Sequence, residues 1–261
     1  MKVAIGMQSL RHKLLQGEMS TIDFLKLASR LYVKGVEIAQ VFLPRSEGEL
    51  LAVRDKLRTA GLGIPSLFVH QSGLTEGIKQ ARELGAGCVT LTPEGDVEAV
   101  YQSVRAVLPE IEDAGLVFAL ENSTRSKFTC RALSELVEEI AHPKVQFSFN
   151  VADCFVVGED PLKVIDQLQG YLAHVRINDL RPEFEQKENS PLVGAVLGLG
   201  LLPVRPLLEK LLGQEYQGWL TVEFSGGENV FFGIEASLKN LHQLLHEIAH
   251  KGIAAPGEMW P

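Results

Sequence analysis

Gly115-Leu-Val-Phe-Ala-Leu-Glu121-Asn122 decides the fold. The glycine suits the end of a helix, the apolar run that follows suits a buried strand, and a carboxylate and an amide arrive where the strand ends. The same unit recurs at intervals of roughly 30 residues, each apolar run being followed by a helical pattern, which is the period of an α/β fold. Eight runs can be read: Lys2-VAIGM, Gly35-VEIAQ, Ile64-PSLFVH, Ala86-GCVTLT, Leu116-VFALEN, Val145-QFSFNV, Leu172-AHVRIN and Trp219-LTVEF. Several follow a glycine expected to close the preceding helix at positive φ, namely Gly35, Gly61, Gly85, Gly115 and Gly218. Ser20-Thr-Ile-Asp23 reads as a capping box that opens the helix beginning at Phe24.

Eight evenly spaced strands fit a closed (β/α)8 TIM barrel better than an open doubly wound sheet. The open sheet carries a glycine-rich phosphate fingerprint after its first strand, whereas here the first turn reads Gly6-MQSLRHK. Gly194, Gly198 and Gly200 lie in the long stretch Arg181 to Gly200, where they read as backbone bends rather than a nucleotide cradle. A stretch of that length at a barrel mouth is expected to be a lid or substrate loop. No shift in composition marks a second domain, so residues 1–250 are read as one barrel and 251–261 as a tail.

Bulk properties exclude several classes. A formal charge of −8, with no basic stripe, argues against nucleic acid as a partner. There is no run of about 20 apolar residues to cross a membrane, and Met1-Lys2-Val3 leads too quickly to Arg11-His12-Lys13 for a secretion signal. Cys88, Cys130 and Cys154 are odd in number and widely spaced, which fits reduced thiols and a cytoplasmic setting rather than a disulfide framework or zinc knot.

Polar residues follow four of the apolar runs directly: Glu121, Asn150, Arg176 and Glu223. Parallel strands of a barrel deliver their C-terminal ends to one mouth, so these groups are expected to share a site. Around them, Gly35-Val-Glu37-Ile, Leu120-Glu121-Asn122, Asn150-Val-Ala-Asp153, His174-Val-Arg176-Ile-Asn-Asp179, Gly198-Leu-Gly200 and Tyr216-Gln-Gly-Trp-Leu-Thr-Val-Glu223 occur in order along most of the chain. With these segments the sequence resembles the xylose-isomerase-like barrel superfamily, which includes sugar-phosphate isomerases and epimerases. The resemblance implies a divalent metal held by Glu, Asp, His and Glu after strands five to eight. Those places hold Glu121, Asn150, Arg176 and Glu223 here, and the Asp-x-x-His of relatives is represented by Asn150 and Asp153.

The replacements have a chemical direction. Asn still offers a carbonyl oxygen, but a guanidinium carries only donors and cannot ligate a cation. Two carboxylates and one arginine carry the same formal charge as three carboxylates and a dication, so Arg176 is expected to fork to Glu121 and Glu223 in place of the ion. Three readings follow. In the first, a sugar-like hydroxy-carbonyl substrate binds without a cofactor and Glu121 and Glu223 transfer protons through an enediolate that Arg176 stabilises. In the second, Arg176 locks both carboxylates in ion pairs, lowers their pKa values and leaves a non-catalytic barrel that binds a small polyol. In the third, Glu121, Asn150 and Glu223 keep a divalent ion, Mn, Zn or Mg, with Arg176 swung aside.

Other residues are weighed at the same mouth. Asp153 reads equally as a helix cap or a ligand to substrate, and His70, at the end of the third strand, as a substrate contact or a packed histidine. Glu37 is expected to anchor neighbouring groups, and His174, two residues before Arg176, to support it from one layer deeper. His246-Glu-Ile-Ala-His250 matches a zinc-protease motif, but it falls on the expected outer eighth helix with no third ligand downstream, and it reads as a solvated or interface face. Trp260 in the tail reads as packing on a neighbouring subunit of a homo-oligomer or as staying mobile.

Overall fold

The chain alternates β and α along its length, with ten strands in order: β1 Lys2–Gly6, β2 Gly35–Ala39, β3 Ile64–Val69, β4 Ala86–Leu91, β5 Val117–Glu121, β6 Val145–Asn150, β7 Leu172–Ile177, β8 Asp179–Pro182, β9 Leu192–Ala195 and β10 Trp219–Val222. The structure, a computed structural model, describes residues 1–183, 191–226 and 229–250. The tail with Trp260 and part of the expected lid lie outside the described residues. Eight strands close in the order β1-β10-β7-β6-β5-β4-β3-β2, all neighbours parallel, and they are the eight apolar runs. β8 and β9, which the sequence reading left as irregular, form an antiparallel hairpin beside the barrel.

Alternation along each strand divides the barrel wall into two chemistries. Ile5, Val36, Ile38, Leu67, Val89, Phe118, Leu120, Phe147, Phe149, Val175 and Leu220 are fully buried, and they occupy the strand positions of one parity. The other parity carries Glu37, Ser66, Thr90, Glu121, Ser148, Asn150, His174, Arg176 and Thr221, also buried. The runs are thus buried on both faces as expected, but one face is polar. Ser66 donates to Thr90 at 2.6 Å within it. Those groups could not be retained without partners, since an unpaired buried polar atom costs on the order of 1–3 kcal/mol.

The helix signals resolve into two kinds. The Ser20–Asp23 capping box is present and opens the helix Thr21–Arg30. Gly61, Gly85 and Gly115 have positive φ, as expected. Gly35 and Gly218 do not. They are glycines for room, because a Cβ on Gly35 would lie 2.5 Å from the Trp219 ring and one on Gly218 would lie 2.3 Å from the Tyr216 ring. The last helix, Val230–Ala249, buries Ile234, Leu238 and Leu241. His246 and His250 sit at its exposed end with their rings stacked at 4.1 Å, and Nδ1 of His250 is 2.7 Å from the His246 carbonyl oxygen.

Candidate active site

Every residue on which the site reading rests is found at one end of the barrel. Arg176, 4% exposed, leaves β7 and sits between the carboxylates of three other strands. Its Nη1 donates to Glu121 Oε1 at 2.9 Å, and its Nη2 donates to Glu37 Oε1. Its Nε lies 3.4 Å from Glu223 Oε1, an ion pair without hydrogen-bond geometry. The expected fork to Glu121 and Glu223 is therefore corrected: its second tine reaches Glu37, and Glu223 is left beside it. Glu37 anchors, as expected, and it belongs to the charge count. Three carboxylates and one guanidinium sum to −2 rather than −1.

That excess sets the electrostatics. Burial pushes Glu121 up to about 8, with Glu37 and Glu223 adding to the rise and Arg176 and Ser148 opposing it. Burial likewise raises Glu223 to about 7, with Glu37 and Asp153 adding and Arg176 opposing. The idea that Arg176 would lower both carboxylates fails, because one guanidinium is shared three ways and desolvation outweighs its share. The three carboxylates in turn hold Arg176 well above its ordinary value, overcoming the effect of its burial.

A second polar layer supports the first. Ser148 donates to Glu121 Oε2 at 2.9 Å and lies 3.2 Å from His174 Nδ1. His174 Nε2 is 2.7 Å from Thr221 Oγ1 and 3.4 Å from Glu37 Oε2. Burial lowers His174 to about 4, so it is a neutral ring at pH 7. Ser148 and Thr221 were missed by the sequence reading, although each lies two residues before a named site residue, at Asn150 and Glu223, and so on the same strand face.

Of the pair Asn150 and Asp153, it is Asn150 that serves as the helix cap. Asn150 Oδ1 accepts from Asp153 N at 3.1 Å and caps the helix Val151–Val156, which makes Asn150 the cap and leaves Asp153 as the capped residue. Asn122, also missed as a site residue, clasps the Asn150 backbone in both directions at 2.8 Å. Asp153 accepts from Thr124 N at 3.0 Å and, like Glu121, Asn150, Arg176, Glu223 and His70, lines a cavity of about 400 Å³ at the mouth. His70 is exposed on its rim, edge-on to Phe68, whose ring lies 5.3 Å from the Arg176 guanidinium. Glu223 Oε1 and Asn178 Oδ1 are buried acceptors in the cavity wall that no described residue satisfies.

The glycines of the long loop have a visible role. The backbone N–H groups of Gly198 and Gly200 each donate at 2.9 Å to Asp179 Oδ2, and those of Leu180 and Leu202 donate to Oδ1 at 2.8 and 3.0 Å. The nest is filled by the protein's own carboxylate.

A family model described as xylose isomerase-like TIM barrel matches residues 25–244, most of the chain. The chain belongs to that family. Inosose dehydratase of Lacticaseibacillus casei is 28% identical over 90 residues, which cover 31% of this chain and 30% of that protein, so the chain spans under a third of the length of that relative. Among solved structures, D-psicose 3-epimerase of Clostridium cellulolyticum H10, crystallised with D-tagatose, superposes with a TM-score of 0.75 at 16% identity, covering 94% of this chain and 99% of that one. The IolI protein with a bound zinc atom gives 0.72 at 16% identity, over 95% and 99%. At such identities these likenesses establish the fold. No helix among the described residues is long and apolar enough to cross a membrane.

Proposed function

We propose that this barrel abstracts a proton from the carbon next to a carbonyl in a sugar-like substrate, as an isomerase or epimerase whose mouth uses Arg176 in place of a divalent ion. The observation that carries the reading is the position of Arg176, bound within one cluster to Glu37, Glu121 and Glu223. The donor set does not fit a metal. A guanidinium supplies no lone pair, and it stands among the three carboxylates where an ion would sit, donating to Glu121 Oε1 and Glu37 Oε1. This argues against the reading that keeps an ion on Glu121, Asn150 and Glu223.

The two carboxylates suit different roles. Both oxygens of Glu121 are engaged, by Arg176 and Ser148, and burial raises its pKa, which favours the protonated form. It is assigned the acid. Glu223 Oε1 has no hydrogen bond and its carboxyl titrates near neutrality, where a general base works best. Glu223 takes the proton, charge moves onto the substrate oxygen, and a free N–H of Arg176 stabilises it there. Glu121 then returns a proton to carbon: on the opposite face of the same centre for an epimerisation, or to the former carbonyl carbon for an isomerisation, in which the hydroxyl proton of the deprotonated carbon moves to the former carbonyl oxygen. His70 and Asp153 contact the substrate from the rim. The relatives named above as epimerase and dehydratase are compatible with a shared first step of this kind, and dehydration would follow if Glu121 protonated a departing hydroxyl instead.

The test is deuterium exchange in D₂O with a panel of ketoses and inososes, read by NMR. A competent substrate loses the proton next to its carbonyl, and Glu223→Gln slows the exchange by roughly 10²–10⁴. Binding of a polyol with no exchange across the panel would replace this reading with the non-catalytic barrel.

A further inference from the structure

Away from the mouth, the chain brings together three metal-ligating groups that are scattered in the sequence. Cys130 is the first residue of the helix Cys130–Ile140, Cys154 lies in Val151–Val156, and Glu159 lies in the turn that follows. Their Sγ and carboxylate oxygen atoms all lie within 4.8 Å of one another. All three cysteines are buried free thiols, as expected, but the fold brings Cys130 and Cys154 together although they are widely spaced in the sequence. None of the three residues lines the mouth cavity.

We propose that Cys130, Cys154 and Glu159 form a binding site for a thiophilic divalent cation of the zinc class. Tetrahedral zinc, with Zn–S near 2.3 Å and Zn–O near 2.0–2.2 Å, sets its ligand atoms roughly 3.5–3.8 Å apart. With all three atoms within 4.8 Å of one another, the cluster needs a contraction of at most roughly 1.3 Å to meet that geometry. Two sulfur ligands and one oxygen select a borderline-soft ion over calcium or magnesium. The oxygen is already oriented. Glu159 Oε2 accepts from Cys130 N at 2.8 Å and Oε1 accepts from Arg131 N at 3.5 Å, so the helix start holds the carboxylate against the sulfur beside it. The backbone closes the ring of contacts, because Glu159 N donates to Cys154 O at 3.1 Å while Cys154 Sγ lies 3.8 Å from the Glu159 carbonyl oxygen. Gly158 and Asp160 are exposed and Glu159 is half-buried, which provides an entry path and room for water as fourth ligand. The site is independent of the proton-transfer reading and would serve structure, pinning two adjacent helices at the mouth end of β5 and β6.

The full-length protein, reduced and treated with chelator, is titrated with Co²⁺, a spectroscopic substitute for zinc. The expected result is one equivalent bound with a thiolate-to-cobalt charge-transfer band in the near ultraviolet. Carboxylates at the mouth cannot produce that band. Cys130→Ser and Cys154→Ser each abolish it, whereas Glu223→Gln leaves it unchanged. Glu159→Gln, which keeps an oxygen to accept from the helix amides, retains the band and weakens binding roughly tenfold by removing one anionic ligand. Absence of the band in the unaltered protein, its survival in either serine variant, or a Cys130–Cys154 disulfide as the stable form after purification would each overturn the proposal.

Discussion

Arg176 and the carboxylates around it dominate the chemistry at the scale of single residues. Glu121 and Glu223 bind protons more tightly folded than unfolded, so between about pH 4.5 and 8 the native state holds more protons. Stability contributed by these groups is fully present below the unfolded value and is lost as pH rises through the folded ones. His174 acts oppositely, lowered to about 4, and its contribution is lost as pH falls from 6.5. Thermal denaturation is expected to show a midpoint that falls from pH 6.5 to 8.5, above the range in which His174 acts, and the fall should flatten in Glu121→Gln and Glu223→Gln. Arg176→Ala leaves three buried carboxylates without their cation, and chemical denaturation at pH 8 should show a loss on the order of 3–5 kcal/mol, less at pH 5. The pair Asn150→Asp with Arg176→His restores the ligand types the family resemblance implies. Calorimetric titration should then detect one equivalent of Mn²⁺ or Zn²⁺ beyond any held by the unaltered protein, and that added equivalent should be lost on adding Glu121→Gln.

Single elements place those residues, and glycine does much of the placing. Glu223 passes so close to β1 that a Cβ on Gly6 would lie 2.5 Å from its Oε1. The β8–β9 hairpin ends in the nest around Asp179, where a Cβ on Gly200 would lie 2.3 Å from Asp179 Oδ1 and 2.4 Å from the Leu180 carbonyl oxygen. Gly200→Ala must therefore open the nest. Hydrogen exchange should show faster exchange at the amides of Gly198, Gly200 and Leu202, with the strand amides of β3 and β4 unaffected. The strands themselves were legible because burial on both sides demands continuous or near-continuous apolar runs. The hairpin was not, since β8 and β9 are four residues each and are bounded by proline at Pro182 rather than by an apolar pattern.

At the scale of the whole molecule, closure of the barrel separates the mouth from the outer ring of helices. His246 and His250 stand on that ring, and replacing both with Ala should leave isotope exchange at the mouth unchanged, as measured by the same NMR assay. A loss of exchange would mean that the last helix reaches the chemistry. What the sequence by itself determined is local and periodic: eight strands, their order of appearance, the helix starts, and four strand ends bearing Glu121, Asn150, Arg176 and Glu223. Convergence of those ends followed from the parallel architecture alone. Tertiary structure decided which groups touch. Arg176 meets Glu37, 139 positions away, because closure of the barrel brings β2 within three strands of β7 and both side chains reach the same interior. It likewise decided that Glu121 and Glu223 are raised, since desolvation depends on everything packed around a carboxyl and not on its neighbours in the chain. Cys130 and Cys154 follow the same rule, brought together where the start of one helix meets the turn that follows another, although no spacing in the sequence announces them.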